Sequence, residues 1–175
     1  MELKQHIKGV LIAIFSATVI LFAISFFVGS QIVVHRDIVV NANKSAVFNY
    51  VKQPKNFPNW MEGTDGIVVK ETTNGNGIQY IGFDEKLHTF KYLVSETASG
   101  VEISYQRNNE LTAIFKLQVK QKSDGSVLFY EKIWNVSNNP LTKIFSLSMD
   151  EDIEMGMKKE LMNVKFLIEE AKTIK

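Results

Sequence analysis

The chain opens with one long apolar segment and then changes to short runs in which hydrophobic and polar residues alternate. The segment Val10–Val28 contains 19 residues without a charged side chain. As a helix it would span about 28 Å, close to the thickness of a bilayer core. We therefore predict a transmembrane helix. A buried core helix is disfavoured because no polar positions define an outer face.

The sequence allows this segment to be either a cleaved signal peptide or an uncleaved membrane anchor. Lys4 and Lys8 precede it and the tripeptide VGS at 28–30 resembles a cleavage site, as in a secretory signal peptide. Signal-peptide apolar regions usually span about 7–15 residues, so the longer run favours an uncleaved anchor. The positive-inside rule holds the two lysines in the cytoplasm. We expect residues 1–30 to form a cytoplasmic tip and single-pass anchor in a bacterial cell membrane, with residues 31–175 extracytoplasmic.

The alternating runs after the anchor predict an antiparallel sheet of seven strands. Short turns rich in Gly, Asn, Asp and Ser separate the last six runs, so neighbours along the chain should form hairpins. The predicted strands are Gln31–Val40, Ile67–Thr72, Ile78–Phe83, Leu87–Ser95, Val101–Gln106, Leu111–Lys120 and Val127–Asn135.

The last hairpin shows the clearest pattern, because every second residue from Leu111 to Val119 is apolar. The Asp124-Gly125 dipeptide predicts a two-residue turn. Counted from that turn, Val119 faces Tyr130, Leu117 faces Lys132 and Phe115 faces Trp134. Cross-strand partners share a face, so Leu128, Tyr130 and Trp134 should point inward and Glu131 outward. A three-residue loop would exchange the two faces.

Helical spacing appears between the first two strands and again after Pro140. Asn41 or Asn43 can cap a short helix that buries Val47 and Val51, and Pro54 ends it. A kinked segment with Phe57 and Trp60 follows. After Pro140 we predict one long helix with an apolar stripe of Ile153, Met157, Leu161, Val164, Ile168 and Ala171. The acidic residues 150–152 fit the start of that helix better than a metal site.

Composition excludes several classes of function. The chain has 20 Lys and Arg against 19 Asp and Glu, a net charge of +1, so it lacks the basic excess of a nucleic-acid-binding protein. It has no cysteine, which excludes disulfides, thiolate catalysis and cysteine-ligated zinc. The three histidines have no metal-type spacing, and no motif indicates a cofactor.

The residues also resemble a known superfamily. The stretch RDIVVNANKSAVFNYVKQPKNFPNW (36–60) resembles the opening of START-like (SRPBCC) proteins, in the polyketide cyclase/dehydrase and lipid-transport branch. The matching residues are Val47, Phe48, Tyr50, Val51, Phe57, Pro58 and Trp60. The stretches 124–134 and 149–170 resemble the last hairpin and closing helix of that superfamily. Asn43 stands where proline is usual, and Glu160 where glycine is usual before the leucine.

This resemblance covers residues 32–173 and implies an α+β helix-grip fold of order β-α-α-β6-α. In that fold a curved antiparallel sheet wraps a long C-terminal helix, and the two short helices close one end. Phe57 and Trp60 would then line or plug the mouth of the space between sheet and helix.

The leading functional hypothesis is a membrane-tethered binding domain for a hydrophobic small molecule or lipid held in that space. Ligand sites are mostly apolar with a few orienting polar groups. The candidate ligand-binding residues are Trp60, Phe90, Tyr92, Tyr105, Phe115, Tyr130, Trp134, Met157 and Leu161. The tyrosine hydroxyls and Lys132 could orient a guest. Alternatively each of these side chains is core, and Lys132 lies along Leu117 with its ammonium in water.

Two other classes of function compete. A cyclase- or dehydratase-like enzyme would need an acid/base pair inside the cavity, and His88 is the plausible inward titratable group besides Lys132. A domain with a filled core would act in the cell envelope through contacts with a protein partner that the sequence does not identify.

Overall fold

The computed structural model describes residues 2–62, 64, 70–74, 77–83, 89–98, 100–107 and 110–173. The first helix, α1, runs from Glu2 to Ser25. Its segment His6–Ser25 is long and apolar enough to cross a bilayer, and its side chains are exposed except at Ser25. The helix ends three residues before the predicted apolar run does, and residues 26–30 lead into the sheet.

Seven strands form one antiparallel sheet, as the alternating pattern predicts. The strands are β1 (Gln31–Val40), β2 (Lys70–Asn74), β3 (Gly77–Phe83), β4 (Thr89–Glu96), β5 (Gly100–Arg107), β6 (Glu110–Lys122) and β7 (Gly125–Asn135). Their order across the sheet is β1-β7-β6-β5-β4-β3-β2, so β1 crosses over to pair with the last strand. The residues predicted to begin the second strand, 67–69, lie outside the described part of the chain.

The β6–β7 hairpin has the predicted faces but a different register. Lys122 pairs with Gly125, so the turn residues are 123 and 124 rather than Asp124 and Gly125. Gly125 starts β7 with a φ of +153°, where a side chain would lie 2.5 Å from the carbonyl oxygen of Val40. Moving a two-residue turn by one position changes every cross-strand partner by two and leaves the faces unchanged. Val119 therefore pairs with Leu128, Leu117 with Tyr130, Phe115 with Lys132 and Ala113 with Trp134.

The short helical elements between β1 and β2 follow from local chemistry. Asn43 caps α2 (Lys44–Val51) by accepting a hydrogen bond from the Ala46 N–H, and Val47 and Val51 are buried beneath it. A 3₁₀ turn at Pro54–Asn56 follows, and then α3 (Phe57–Trp60). Both α2 and α3 contact the C-terminal helix, so they close one side of the interior.

The C-terminal region contains two helices where the sequence predicts one. These are α4 (Pro140–Ser146) and α5 (Met149–Thr173). The Ser146 and Ser148 hydroxyls donate to the carbonyl oxygens of Lys143 and Phe145, at 2.6 and 2.9 Å, and this local bonding competes with continuation of the helix.

The helix α5 lies along β1 and closes the core. Its stripe of Met157, Leu161, Val164 and Ile168 is buried, whereas Ala171, the last predicted member of the stripe, is exposed. Backbone atoms at the end of β1 bind its outer side chains: the Asn41 N–H donates to Glu169, and Lys165 donates to the Val39 carbonyl. A curved antiparallel sheet around a long C-terminal helix, with two short helices at one side, is the helix-grip fold.

Candidate functional site

A buried ion pair joins the sheet to the long helix. Lys132 on β7 and Glu160 on α5 are only 8% and 1% exposed, and the lysine Nζ lies 3.1 Å from both carboxylate oxygens. Charged residues are almost never this deeply buried unless they are paired. The pair is therefore the main polar feature of the described interior.

The pleat of β7 explains why Lys132 points inward. It lies two residues from Tyr130 and opposite Phe115, so all three share the inner face of the sheet. Its ammonium lies 5.1 Å from the centre of the Phe115 ring and 5.7 Å from that of Tyr130. The expectation that the ammonium reaches water along Leu117 is wrong, because the inward face of β7 leaves it under α5, where Glu160 binds it.

Glu160 also holds the chain that follows α3. Its Oε1 accepts a hydrogen bond from the Glu62 N–H at 3.0 Å. Burial raises the pKa of Glu160 above its usual range, while Lys132 and these hydrogen bonds oppose that rise. One carboxylate thus connects the sheet, α5 and the segment after Trp60.

Two further polar groups are buried in the interior, the indole N–H of Trp60 and the hydroxyl of Tyr130. The indole N–H has no hydrogen-bond partner among the described residues, and the hydroxyl has only a weak contact with the Glu160 carboxylate, too poorly placed for a full hydrogen bond. Burial raises the pKa of Tyr130 well above its usual value, and the neighbouring Glu160 carboxylate raises it further. The hydroxyl therefore stays protonated and able to donate. Buried polar groups normally have good partners, so these two donors need an explanation.

Aromatic rings surround these groups in a closed series of contacts. The order is Trp60–Tyr130–Phe115–Tyr105–Tyr92–Phe57 and back to Trp60, with centroid separations between 5.4 and 6.3 Å. Trp134 joins the series 6.5 Å from Tyr105. Most of these contacts are edge-on or tilted, the geometry that aromatic pairs prefer. The inner wall of the domain is therefore largely aromatic.

The structure brings together most of the residues predicted to bind a ligand. Trp60, Tyr92, Phe115, Tyr130, Met157 and Leu161 are buried in one core cluster, and Tyr105 and Trp134 are partly buried against it. The side chain of Phe90 and the whole of His88 lie outside the described part of the chain. Whether these residues bind a ligand stays a prediction.

An open groove lies at a different place from this site. It has a volume of about 660 Å³ and contains none of the predicted ligand-binding residues. It is formed where the start of α2, the β6–β7 turn and the end of α5 meet, and Asn41, Ala46, Gln121, Asp124, Leu167 and Ala171 are among its lining residues.

Sequence reasoning missed Glu160 as a member of the site. A signal was present, because Glu160 lies three residues after Met157 and four before Val164, within the apolar stripe of the helix. It also stands where the resembled superfamily has glycine. The acidic residues 150–152 lie in the first turn of α5 as predicted, and no group of residues suited to a metal ion occurs within the described ranges.

Comparison with known proteins shows the fold of this chain but not its function. No family model and no curated protein matches the chain. SA2116, a protein of unknown function from Staphylococcus aureus, superposes with a TM-score of 0.63 at 8% identity, covering 82% of this chain and 96% of its own. CV1439 from Chromobacterium violaceum has a TM-score of 0.52 at 18% identity, covering 81% of this chain and 99% of its own.

One of the similar structures belongs to a protein from a named biosynthetic pathway. StfQ, a di-domain ARO/CYC protein of the steffimycin biosynthetic pathway, has a TM-score of 0.55 at 12% identity, covering 82% of this chain and 52% of its own. The present chain thus corresponds to about half of StfQ. At these identities the likeness defines the class as helix-grip proteins and carries no function across.

Proposed function

We propose that the chain is a membrane-tethered binding domain for a hydrophobic small molecule or lipid, held inside the helix-grip fold between the sheet and α5. One observation carries the proposal: two poorly satisfied buried donors lie within an aromatic wall, Trp60 Nε1 with no described partner and Tyr130 Oη with only a weak contact to Glu160. The resemblance of residues 36–60 to START-like proteins supports the same interpretation, with the chain as a membrane-anchored member of that superfamily.

The chemistry of the two donors indicates the kind of guest. A buried donor that lacks an acceptor costs about 1–3 kcal/mol, and a guest oxygen that accepts a hydrogen bond from such a donor would remove that cost. The positive charge of Lys132 is already matched by Glu160. The site thus presents two neutral donors and no spare cation among its described groups. We infer a guest with an apolar body and a neutral acceptor such as a carbonyl, ester or hydroxyl oxygen, in preference to a free carboxylate.

The tether rests on α1. The side chains of its apolar segment, His6–Ser25, are exposed except at Ser25, and the segment is long enough to cross a bilayer. Lys4 and Lys8 precede it, which favours a cytoplasmic N-terminus and a domain on the other side of the membrane.

Energy transfer from tryptophan to a dansyl-labelled fatty-acid methyl ester tests this proposal with the full chain in nanodiscs. Both tryptophans of the chain, Trp60 and Trp134, lie in the domain. Because Trp134 pairs with Ile32, close to the anchor, probe dissolved in lipid contributes a background that rises in proportion to probe concentration, and only the saturable part of the transfer reports bound probe. We expect saturable transfer. Tyr130→Phe should weaken probe affinity by about 2- to 12-fold, the loss of one hydrogen bond. It should change stability little, because the hydroxyl that it removes has only a weak contact with Glu160.

The groove supplies the matched control. Ala46→Leu narrows it without touching the aromatic interior, and we expect unchanged probe affinity. If Ala46→Leu weakens binding and Tyr130→Phe does not, the guest binds in the groove and the proposed site is wrong. Absence of saturable transfer in the wild-type chain would reject the binding function and favour a filled domain that acts through protein contacts.

A second candidate function is favoured by the Glu160 geometry. An enzyme of cyclase or dehydratase type needs an acid/base pair in the interior, and Glu160, with a raised pKa, lies beside Tyr130 and Lys132. Turnover of an added polyketide-like ketone by the wild-type chain, abolished in Glu160→Gln, would support this alternative. Its absence would leave the binding function.

A further inference from the structure

We propose that α4 and the residues beside it form an interfacial foot that seats the domain directly on the bilayer. The foot consists of Phe26, Phe27, Leu141, Phe145 and Leu147. This inference rests on the proposed membrane insertion of α1. Phe26 and Phe27 end the apolar run of that anchor, and Leu141, Phe145 and Leu147 add a second, peripheral contact with the same membrane.

All five residues of the interfacial foot are large, apolar and exposed. Their exposed fractions range from 60% for Leu141 to 91% for Phe27, and Phe145 is 70% exposed. Exposed apolar residues scattered singly are ordinary, whereas a contiguous group marks a contact with a protein or a membrane. These five residues belong to two short segments, 26–27 and 141–147. Their exposure indicates a contact with a partner that covers them.

The position of α4 beside α1 identifies the membrane as the cover. The two helices pack against each other. Ser25, the last residue of α1, is the one buried side chain among those described in that helix, and Ser146 at the end of α4 is buried too. Ser146 and Leu147 line a crevice together with Val28 and Gln31, which places the end of α4 beside the exit from the anchor. Since the end of α4 lies beside the residues that follow α1, we place its exposed residues at the level of the bilayer interface.

The connection between anchor and sheet is fixed by hydrogen bonds, so this placement does not depend on a loose linker. The Val136 N–H donates to the Ser30 carbonyl at 2.8 Å, and Gln31 Nε2 donates to Asn135 Oδ1 at 3.0 Å. Both bonds tie the residues after α1 to the end of β7. The chain then enters α4 within a few residues, which keeps the interfacial foot next to the span.

The interfacial foot also orients the domain. β1 has ten residues and leads away from the anchor for about 30 Å. The groove at its far end therefore faces the aqueous side, away from the membrane that holds α1. Amphipathic interfacial helices insert their apolar side about 5–10 Å into the boundary of headgroups and acyl chains, and we assign that depth to Phe145 and Leu141.

Site-directed labelling tests this inference, because the chain has no native cysteine. The full chain would carry one cysteine at a time, Phe145→Cys or Leu141→Cys, labelled with an environment-sensitive fluorophore in phosphatidylcholine/phosphatidylglycerol vesicles. Asp124→Cys, exposed at the far end, is the aqueous control, and Ile14→Cys reports insertion of α1. We expect iodide to quench the two foot labels severalfold less than the Asp124 label. Lipids with shallow spin labels should quench them more than lipids with deep ones.

The outcomes separate this inference from the proposed tether. If the Ile14 label is protected while the Phe145 and Leu141 labels are as accessible to iodide as that at Asp124, the anchor is correct and the interfacial foot is wrong. If the Ile14 label is itself accessible to iodide, α1 does not insert, and both the tether and the foot are rejected.

Discussion

At the scale of single residues, Lys132 and Glu160 determine the character of the interior. Removing two charges from water is costly, and their mutual attraction offsets that cost only where the geometry is good and other hydrogen bonds complete the shell. Glu160 has such a shell, with Lys132 on both oxygens and the Glu62 N–H on one. Removing one partner should therefore destabilise the fold much more than replacing both partners with apolar side chains.

Lys132→Met tests the pair by removing one partner while keeping the apolar stem. We expect a loss of about 3–5 kcal/mol of unfolding free energy near neutral pH, because the carboxylate is left buried and uncompensated. Chemical denaturation in detergent micelles, followed by tryptophan fluorescence, measures the loss. The control is Lys116→Met, which breaks the half-exposed pair with Glu131 and should cost at most about 1 kcal/mol.

The same variant has a predicted pH dependence. Lys132 lowers the pKa of Glu160 against the larger effect of burial, so its removal raises that pKa further above the unfolded value. Between the two values the folded state then binds more protons than the unfolded state, and stability falls as pH rises. The deficit of Lys132→Met relative to wild type should thus be smaller at about pH 5 than at about pH 8. A deficit that is larger at acidic pH would contradict a buried Glu160.

The sequence alone predicts that Lys132 lies on the inner face of β7, but it does not predict that Glu160 is its partner. Alternation along β7 puts Lys132 on the same face as Tyr130 once the turn is known to have two residues. Pairing with Glu160 is a contact 28 residues away, and helical spacing shows only that Glu160 belongs to the buried stripe. The poor hydrogen bonding of the Trp60 and Tyr130 donors depends on how the elements pack together, and no local sequence pattern predicts that packing.

At the scale of elements, the β6–β7 hairpin shows why faces are more predictable than partners. The turn forms one residue earlier than the Asp124-Gly125 dipeptide suggests, since Gly125 is needed where β7 approaches the Val40 carbonyl. That displacement changes each partner by two positions and conserves the inward set. The split of the C-terminal region was less predictable, because neither glycine nor proline marks residues 147–148.

Adjacent residues on β7 test the assignment of faces. Leu128 is fully buried, whereas Phe129 is on the outer face beside Lys120. Leu128→Ala should cost about 2–5 kcal/mol as a cavity in the core, while Phe129→Ala should stay within about 1 kcal/mol as a surface change. Denaturation of both variants under identical conditions makes the comparison. The opposite order of costs would mean that the strand is slipped by one residue.

At the scale of the whole molecule, the fold is carried by pattern rather than by residue identity. The structures that superpose on this chain share 8–18% of its residues in the cases described. The alternation of the strands, the stripe of α5 and the proline break after α2 predicted the elements and their order, and the resemblance of residues 36–60 to a known superfamily implied how they are arranged. What the interior binds depends on a few side chains, and those differ freely between proteins of one fold.

The proposed anchor and interfacial foot lie at one end of the molecule, and the groove lies at the other. α1 and α4 lie at one end and the groove lies past the end of β1. The proposed binding interior lies between them, around the Lys132–Glu160 pair. In this arrangement a guest would be held close to a membrane while the open groove faces the aqueous side.

Native mass spectrometry of the full chain, extracted in detergent from the membrane of the expressing cell, tests the central claim most directly. We predict a population with one bound apolar, uncharged molecule per chain. That population should decrease in Tyr130→Phe, which removes one of the two poorly satisfied donors, and persist in Ala46→Leu. Bare polypeptide alone in all three samples, released under conditions gentle enough to keep the annular lipids of a control membrane protein, would contradict a ligand-binding interior.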